Sequence, residues 1–168
     1  GDYTSAEENL VKAITAYKTE KKTKTQNYVY VQQALGELYA INGDFENSKK
    51  QLNDAYQNAK RFEVTNEMLP VNMNEGLAEL YFELGKYDNA EEILTETIIL
   101  KSDKLGENSP ELIKAYSLLG QLYLVQGKLI ESEKMVRKSL EISEATYGPN
   151  ALKYLERKII LGEVYYKL

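Results

Sequence analysis

Apolar positions recur along this chain at three- and four-residue spacing, and the blocks they form recur every 42 residues. One block is anchored by Leu35, Leu77, Leu119 and Leu161, each followed four residues on by Tyr39, Tyr81, Tyr123 and Tyr165. Within it, Leu119, Leu122, Tyr123 and Gln126 fall on one helical face. The other block is anchored by Leu10, Leu52, Leu94 and Val136. Small residues precede these by four positions (Ala6, Ser48, Ala90, Ser132), and Ala13, Ala55, Thr97 and Ser139 follow by three. Between the blocks stand Gly1, Gly43, Gly85 and Gly127, where a glycine can end a helix in the left-handed conformation. The pattern predicts helix, tight turn, helix. First-type helices (A) fall near 27–41, 68–83, 110–125 and 151–167. Second-type helices (B) fall near 5–19, 45–61, 87–103 and 129–145.

A fixed period of this size marks an array of small helical units stacked into a solenoid. Gly36, Ala78, Gly120 and Gly162 in the A helices face small residues such as Ser132 in the B helices, so paired helices can approach closely. Ser109-Pro110 places a capping residue before a proline at the first helical position. Thr25 and Asn66 are weaker candidate caps. Gly148-Pro149-Asn150 lies 42 residues after Gly106-Glu107-Asn108, and both read as the loop between units. The polar run 18–25 reads as a solvated loop. The phase of the glycines predicts one array, 1–168. It would hold an unpaired B helix in 1–25, repeats at 26–67, 68–109 and 110–150, and an unpaired A helix in 151–168, as in a fragment cut within a unit.

These positions resemble the tetratricopeptide repeat. The family pattern of Leu-Gly-x-x-Tyr, a turn glycine and then small-x-x-x-large-x-x-Ala is met by Leu35-Gly36-x-x-Tyr39 with Gly43-x-Phe45. Leu119-Gly120-x-x-Tyr123 repeats it, with Tyr116 where the family often has Trp. The family's usual repeat is shorter. The 42-residue form is similar to the repeats of kinesin light chain and of many bacterial members, with Leu105-Gly106-x-x-x-Pro110 as the loop phrase and Leu140-Glu141-Ile142-Ser143-Glu144 ending a B helix. The resemblance implies an all-α fold, a right-handed α-α superhelix of antiparallel pairs with about eight helices. It also implies a protein-interaction scaffold without enzymatic activity. A regulatory or sensor segment of a larger signalling protein, beside a kinase or caspase-like protease domain, is the alternative.

Composition narrows the chemistry. The chain has no Cys, His or Trp, which removes thiol nucleophiles, thiolate zinc sites and the commonest general base and metal ligand. No Asp-rich calcium loop and no phosphate-binding glycine loop occurs, so no metal site and no cofactor is expected. Net charge is −5, which argues against nucleic acid as the partner. No apolar run is long enough to span a membrane. Glu7-Glu8, Glu91-Glu92 and Glu131 with Glu133 read as acids near the positive ends of helix dipoles. The recurring tyrosines read as core.

In the family the A helices line a concave groove that takes peptides or partner helices. On this chain the matching positions are Tyr30, Gln33, Glu37, Asn72, Glu75, Glu79, Phe82, Lys114, Ser117 and Gln121. The family's paired Lys and Asn clamp for a C-terminal carboxylate is missing, since Lys114 stands nearly alone. The Asn-Asn pair of kinesin-type repeats is missing too. The first half of the groove is acidic and carries aromatics, which favours a protein or peptide with Lys or Arg next to apolar residues. The last helix offers Ile159, Ile160, Val164, Tyr165 and Leu168 as an apolar face that would seek cover, so self-association through 151–168 is expected.

Overall fold

The computed structural model of the chain describes residues 2–61 and 69–168, all helix, turn or loop. Gly1 and the candidate cap Asn66 lie outside the described residues, as does the side chain of Asn72. The helices are α1 (Tyr3–Thr19), α2 (Gln26–Ile41), α3 (Phe45–Arg61), α4 (Leu69–Glu83), α5 (Tyr87–Leu105), α6 (Ile113–Val125), α7 (Leu129–Tyr147) and α8 (Leu152–Lys167). They divide into two compact units, Gly1–Leu80 and Tyr81–Leu168, with the division inside α4.

The helices fall where the 42-residue pattern predicts them, with two local differences. The A helix expected over 110–125 begins as a 3-10 turn, Pro110–Leu112, before α6. Pro110 has no N–H to donate, and Ser109 caps the tight turn by accepting from the Glu111 N–H at 3.3 Å. The helices α5 and α7 each run two residues past their expected ends and stop at Gly106 and Gly148. Thr25 does cap α2, accepting from the Tyr28 N–H. Asp2 and Asp44 cap the turns before α1 and α3 by accepting from the Ser5 and Asn47 N–H groups.

The turn glycines have a mechanical role. At Gly127, φ is +75°, a value that a Cβ would strain. That conformation lets the Lys128 N–H donate to the Tyr123 carbonyl at 2.9 Å and the Gly127 N–H donate to the Leu124 carbonyl at 3.2 Å. The helix end is thereby closed in a Schellman motif. The same pair forms at Gly43, where the Asp44 N–H donates to the Tyr39 carbonyl and the Gly43 N–H to the Ala40 carbonyl.

The turns at Gly43 and Gly127 return the chain antiparallel. In the second unit, Ser132 Oγ donates to the Gly120 carbonyl at 2.7 Å and Ser139 Oγ to the Ile113 carbonyl at 2.9 Å. Seven residues forward on α7 thus meet seven residues back on α6. The two helices touch most closely at Gly120, where a Cβ would lie 2.5 Å from Val136 Cγ2. In the first unit, a Cβ on Gly36 would lie 2.7 Å from Leu52 Cγ. Leu52 and Val136 are buried by this approach, each worth about 2 kcal/mol relative to exposure.

Candidate interaction face

Two of the A helices, α2 and α6, each present an exposed stripe. On α2 it contains Tyr30, Glu37 and Ile41, and on α6 it contains Lys114 and Val125 beside the half-buried Gln121. On α2, Gln33 lies half-buried between Tyr30 and Glu37, and its amide donates to Glu37 Oε1 at 2.8 Å. That bond holds an exposed carboxylate two turns from an exposed aromatic ring. The same carboxylate lies 4.0 Å from where a Cβ on Gly76 would stand, so α2 and α4 adjoin at this point of the first unit. Glu79, one helical turn from Gly76, is half-buried.

Glu75 and Ser117, which stand at the repeat position of Gln33, are buried, at 8% and 7% exposure, where Gln33 is half-buried. Ser117 Oγ accepts from Gln121 Nε2 at 3.5 Å. The Phe82 ring packs tilted on Tyr87 at 5.8 Å, against the start of α5. Ile41 and Val125, 68% and 52% exposed, belong to the stripe and were missed. Four-residue spacing from Glu37 and Gln121 was the signal that locates them.

On α8, Ile159 and Leu168 are exposed, Tyr165 is partly exposed, and Ile160 is half-buried. Val164 is different. It is fully buried, because with Tyr154 and Leu161 it forms the side of α8 turned to the core, so it cannot serve as an exposed contact.

A second recurring constellation joins successive repeats. Tyr39 Oη donates to Glu7 at 3.2 Å, Tyr123 Oη to Glu91 at 3.1 Å and Tyr165 Oη to Glu133 at 2.9 Å. Each pair is separated by 32 residues. The acids read as partners of the helix dipole therefore bond tyrosines of the following A helix, and the constant offset between Glu and Tyr was the available signal. Burial first, and the neighbouring Glu91 carboxylate second, push the Tyr123 phenol up to about 12. Burial also works to raise Glu91, but hydrogen bonds from Lys128 and Tyr123 outweigh it and hold the carboxyl below its ordinary value. Lys128 Nζ reaches Glu91 Oε2 at 3.0 Å. Glu133 is held low by its bonds from Arg137 and Tyr165. These are clasps between helices. Each phenol donates its proton to a carboxylate of the preceding B helix.

One buried cation was also missed. Lys101 is 1% exposed, and its Nζ donates to the Glu111 carbonyl at 3.0 Å, tying α5 to the 3-10 turn.

Residues 70–144 match the family model for the tetratricopeptide repeat. That stretch is 75 of the 168 residues, and the fold of the chain agrees with the match. It is similar to BtubC (BKLC) from P. vanneervenii, with a TM-score of 0.80 at 20% identity, covering 98% of this chain and 64% of that one. The chain thus spans just under two thirds of that protein. It is also similar to TPR-like kinesin light chain repeats from Podosopora anserina, with a TM-score of 0.80 at 17% identity, covering 99% of this chain and 79% of that one. A single-substitution form of the same repeats gives 0.81. At these identities the likeness concerns the fold. A comparison with curated protein sequences gave no match. Tetratricopeptide repeats are in general non-catalytic scaffolds for protein–protein interaction, and no helix among the described residues is long and apolar enough to cross a membrane.

Proposed function

We propose that this tetratricopeptide array binds a protein segment along the exposed stripes of its A helices, and that the segment carries Lys or Arg beside apolar residues. The observation that carries the reading is the α2 stripe. Tyr30 and Ile41 expose apolar surface on the same line as the Glu37 carboxylate, and Gln33 holds that carboxylate in place. An aromatic ring and an aliphatic side chain flanking a fixed negative charge complement a cation set between apolar residues. Glu79 adds a second carboxylate on the α4 side of the first unit. In the second unit the α6 stripe, with Lys114, Gln121 and Val125, is less acidic.

The test is direct binding of a labelled peptide in which Lys or Arg alternates with Leu or Phe. Glu37→Lys with Glu79→Lys should weaken binding at least tenfold and flatten its salt dependence. An unchanged affinity would remove the acidic stripe as the binding surface. Glu75 is left out of this test because it is buried, and a lysine there would disturb packing.

A further inference from the structure

The turns at Gly43, Gly85 and Gly127 share one backbone shape and differ in the residue before the glycine. The three glycines have φ of +76°, +68° and +75°. At each, the glycine N–H donates three residues back, to the carbonyls of Ala40, Phe82 and Leu124. The N–H after it donates five residues back, to Tyr39, Tyr81 and Tyr123. The preceding residue is Asn42 in the first turn, Leu84 in the second and Gln126 in the third. Asn42 is exposed, and it is the one asparagine of the chain that a glycine follows.

An asparagine before a glycine carries its own reaction. The glycine nitrogen can attack the side-chain carbonyl carbon and close a five-membered ring, and the absence of a Cβ on the glycine leaves that approach unhindered. A glutamine would have to close a larger ring, which forms far more slowly, and a leucine has no carbonyl to attack. The same turn is therefore inert at Leu84 and Gln126. In the folded chain the turn holds the reactants apart at Asn42. Its ψ is 0°, which turns the Gly43 nitrogen away from the Asn42 Cβ, whereas the ring needs the two nearly eclipsed. The Gly43 N–H is engaged by the Ala40 carbonyl at 3.0 Å, and the Asp44 N–H, bound to the Tyr39 carbonyl at 2.9 Å, fixes the far side of the same residue. The Asn42 N–H is held by the Leu38 carbonyl at 3.1 Å. The ring can close only when this cap opens, and a helix end opens at far lower cost than the whole fold.

We propose that Asn42–Gly43 is a self-modification site, at which opening of the α2 cap commits the Asn42 amide to deamidation. The Gly43 nitrogen attacks Asn42 Cγ and a new N–Cγ bond forms. The Cγ–Nδ2 bond breaks, and ammonia leaves with the proton that the Gly43 nitrogen gave up. Water then opens the succinimide. Addition at Cγ leaves aspartate. Addition at the backbone carbonyl leaves isoaspartate, in which the chain runs through the side-chain carbons. Either product sets a negative charge at the C-terminal end of α2, against the helix dipole. Isoaspartate also lengthens the backbone inside the cap, so the Gly43 and Asp44 N–H groups lose their register on Ala40 and Tyr39. The reaction runs one way, and each modified molecule records that its cap has opened. Asn42 is not among the residues of the exposed stripes, and its chemistry is independent of what they bind.

The chain is incubated in mildly alkaline buffer, folded or unfolded in guanidinium chloride, and the site of conversion is read by digestion and mass spectrometry. In the unfolded chain Asn42 should convert ahead of every other asparagine. In the folded chain it should again be the first to convert, but at least about tenfold more slowly. Asn42→Gln should remove the conversion in both states. The isoaspartate form, separated by its charge, should melt at a lower temperature than the unmodified chain, with Asn42→Asp between the two. Equal rates in the folded and unfolded chains would overturn the role of the cap. A folded chain in which another asparagine converts first, or in which Asn42 never converts, would overturn the site.

Discussion

In the α6–α7 hairpin two buried hydroxyls of the second helix reach back to the first, Ser132 to the Gly120 carbonyl and Ser139 to the Ile113 carbonyl. In the α2–α3 hairpin the same two positions hold Ser48, whose buried hydroxyl has no partner, and Ala55. There the polar link lies further along, where the Asn58 amide donates to Gln32 Oε1 at 2.8 Å. The two hairpins share a backbone approach at a glycine but not the chemistry that holds it. Close approach therefore depends on the absence of a Cβ in the A helix, and the hydroxyls add to it locally.

The largest effect should come from filling the approach. In a helix, alanine is favoured over glycine by about 1 kcal/mol. At Gly120 the new Cβ would meet Val136, a β-branched side chain with little rotamer freedom. Gly120→Ala should destabilise by about 2–3 kcal/mol net. At Gly36 the neighbour is Leu52, which can turn aside, and the loss should be about 1 kcal/mol. At Gly162, where nothing lies near, the same change should stabilise the single chain by up to about 1 kcal/mol. Urea titration of the three variants checks the order, and equal losses at 36 and 120 would break the contrast between leucine and valine as neighbours.

A smaller effect separates the serines. Ser132→Ala removes a buried hydrogen bond and should cost about 1 kcal/mol. Ser48→Ala removes a buried hydroxyl that has no partner and should be neutral or stabilising by up to about 1 kcal/mol. Thermal melts of the two variants should shift in opposite directions or, at the least, by clearly different amounts.

The smallest effects belong to the clasps and depend on pH. Tyr123 has a folded pKa raised to about 12. Its contribution is full below the ordinary phenol value and is lost as pH rises from there through about 12. Glu91 is held low, so its contribution is present above the ordinary carboxylate value and is lost as pH falls through the depressed one. Tyr123→Phe should flatten the alkaline loss of stability in denaturation curves taken across pH. Tyr39→Phe should do so less, because burial, the first cause of the shift at both phenols, is weaker at Tyr39.

Much of this was legible in the sequence because a repeat states each structural rule several times. The turn at Gly127, the close approach at Gly120 and the small residue at Ser132 all follow from residue type at a fixed interval. The exposed stripe was less legible. The family pattern places Gln33, Glu75 and Ser117 alike, and it does not tell that Gln33 is half-buried while Glu75 and Ser117 are buried. Ile41 and Val125 fall outside the family's groove positions, and only the helical spacing from Glu37 and Gln121 points to them. The clasps were hidden for another reason. A tyrosine that recurs with a core leucine satisfies the expectation of packing, and nothing then asks where its hydroxyl goes.

The clasps also give the molecule an optical signature. With no Trp and 14 Tyr, its fluorescence is tyrosine emission. A phenol bonded to a carboxylate passes its proton to that acceptor in the excited state and emits weakly. Tyr39, Tyr123 and Tyr165 are therefore dim while the repeats are stacked and brighten as they part. Replacing each in turn with phenylalanine would assign the brightening to a particular junction, so the separation of neighbouring repeats can be followed without attaching a dye.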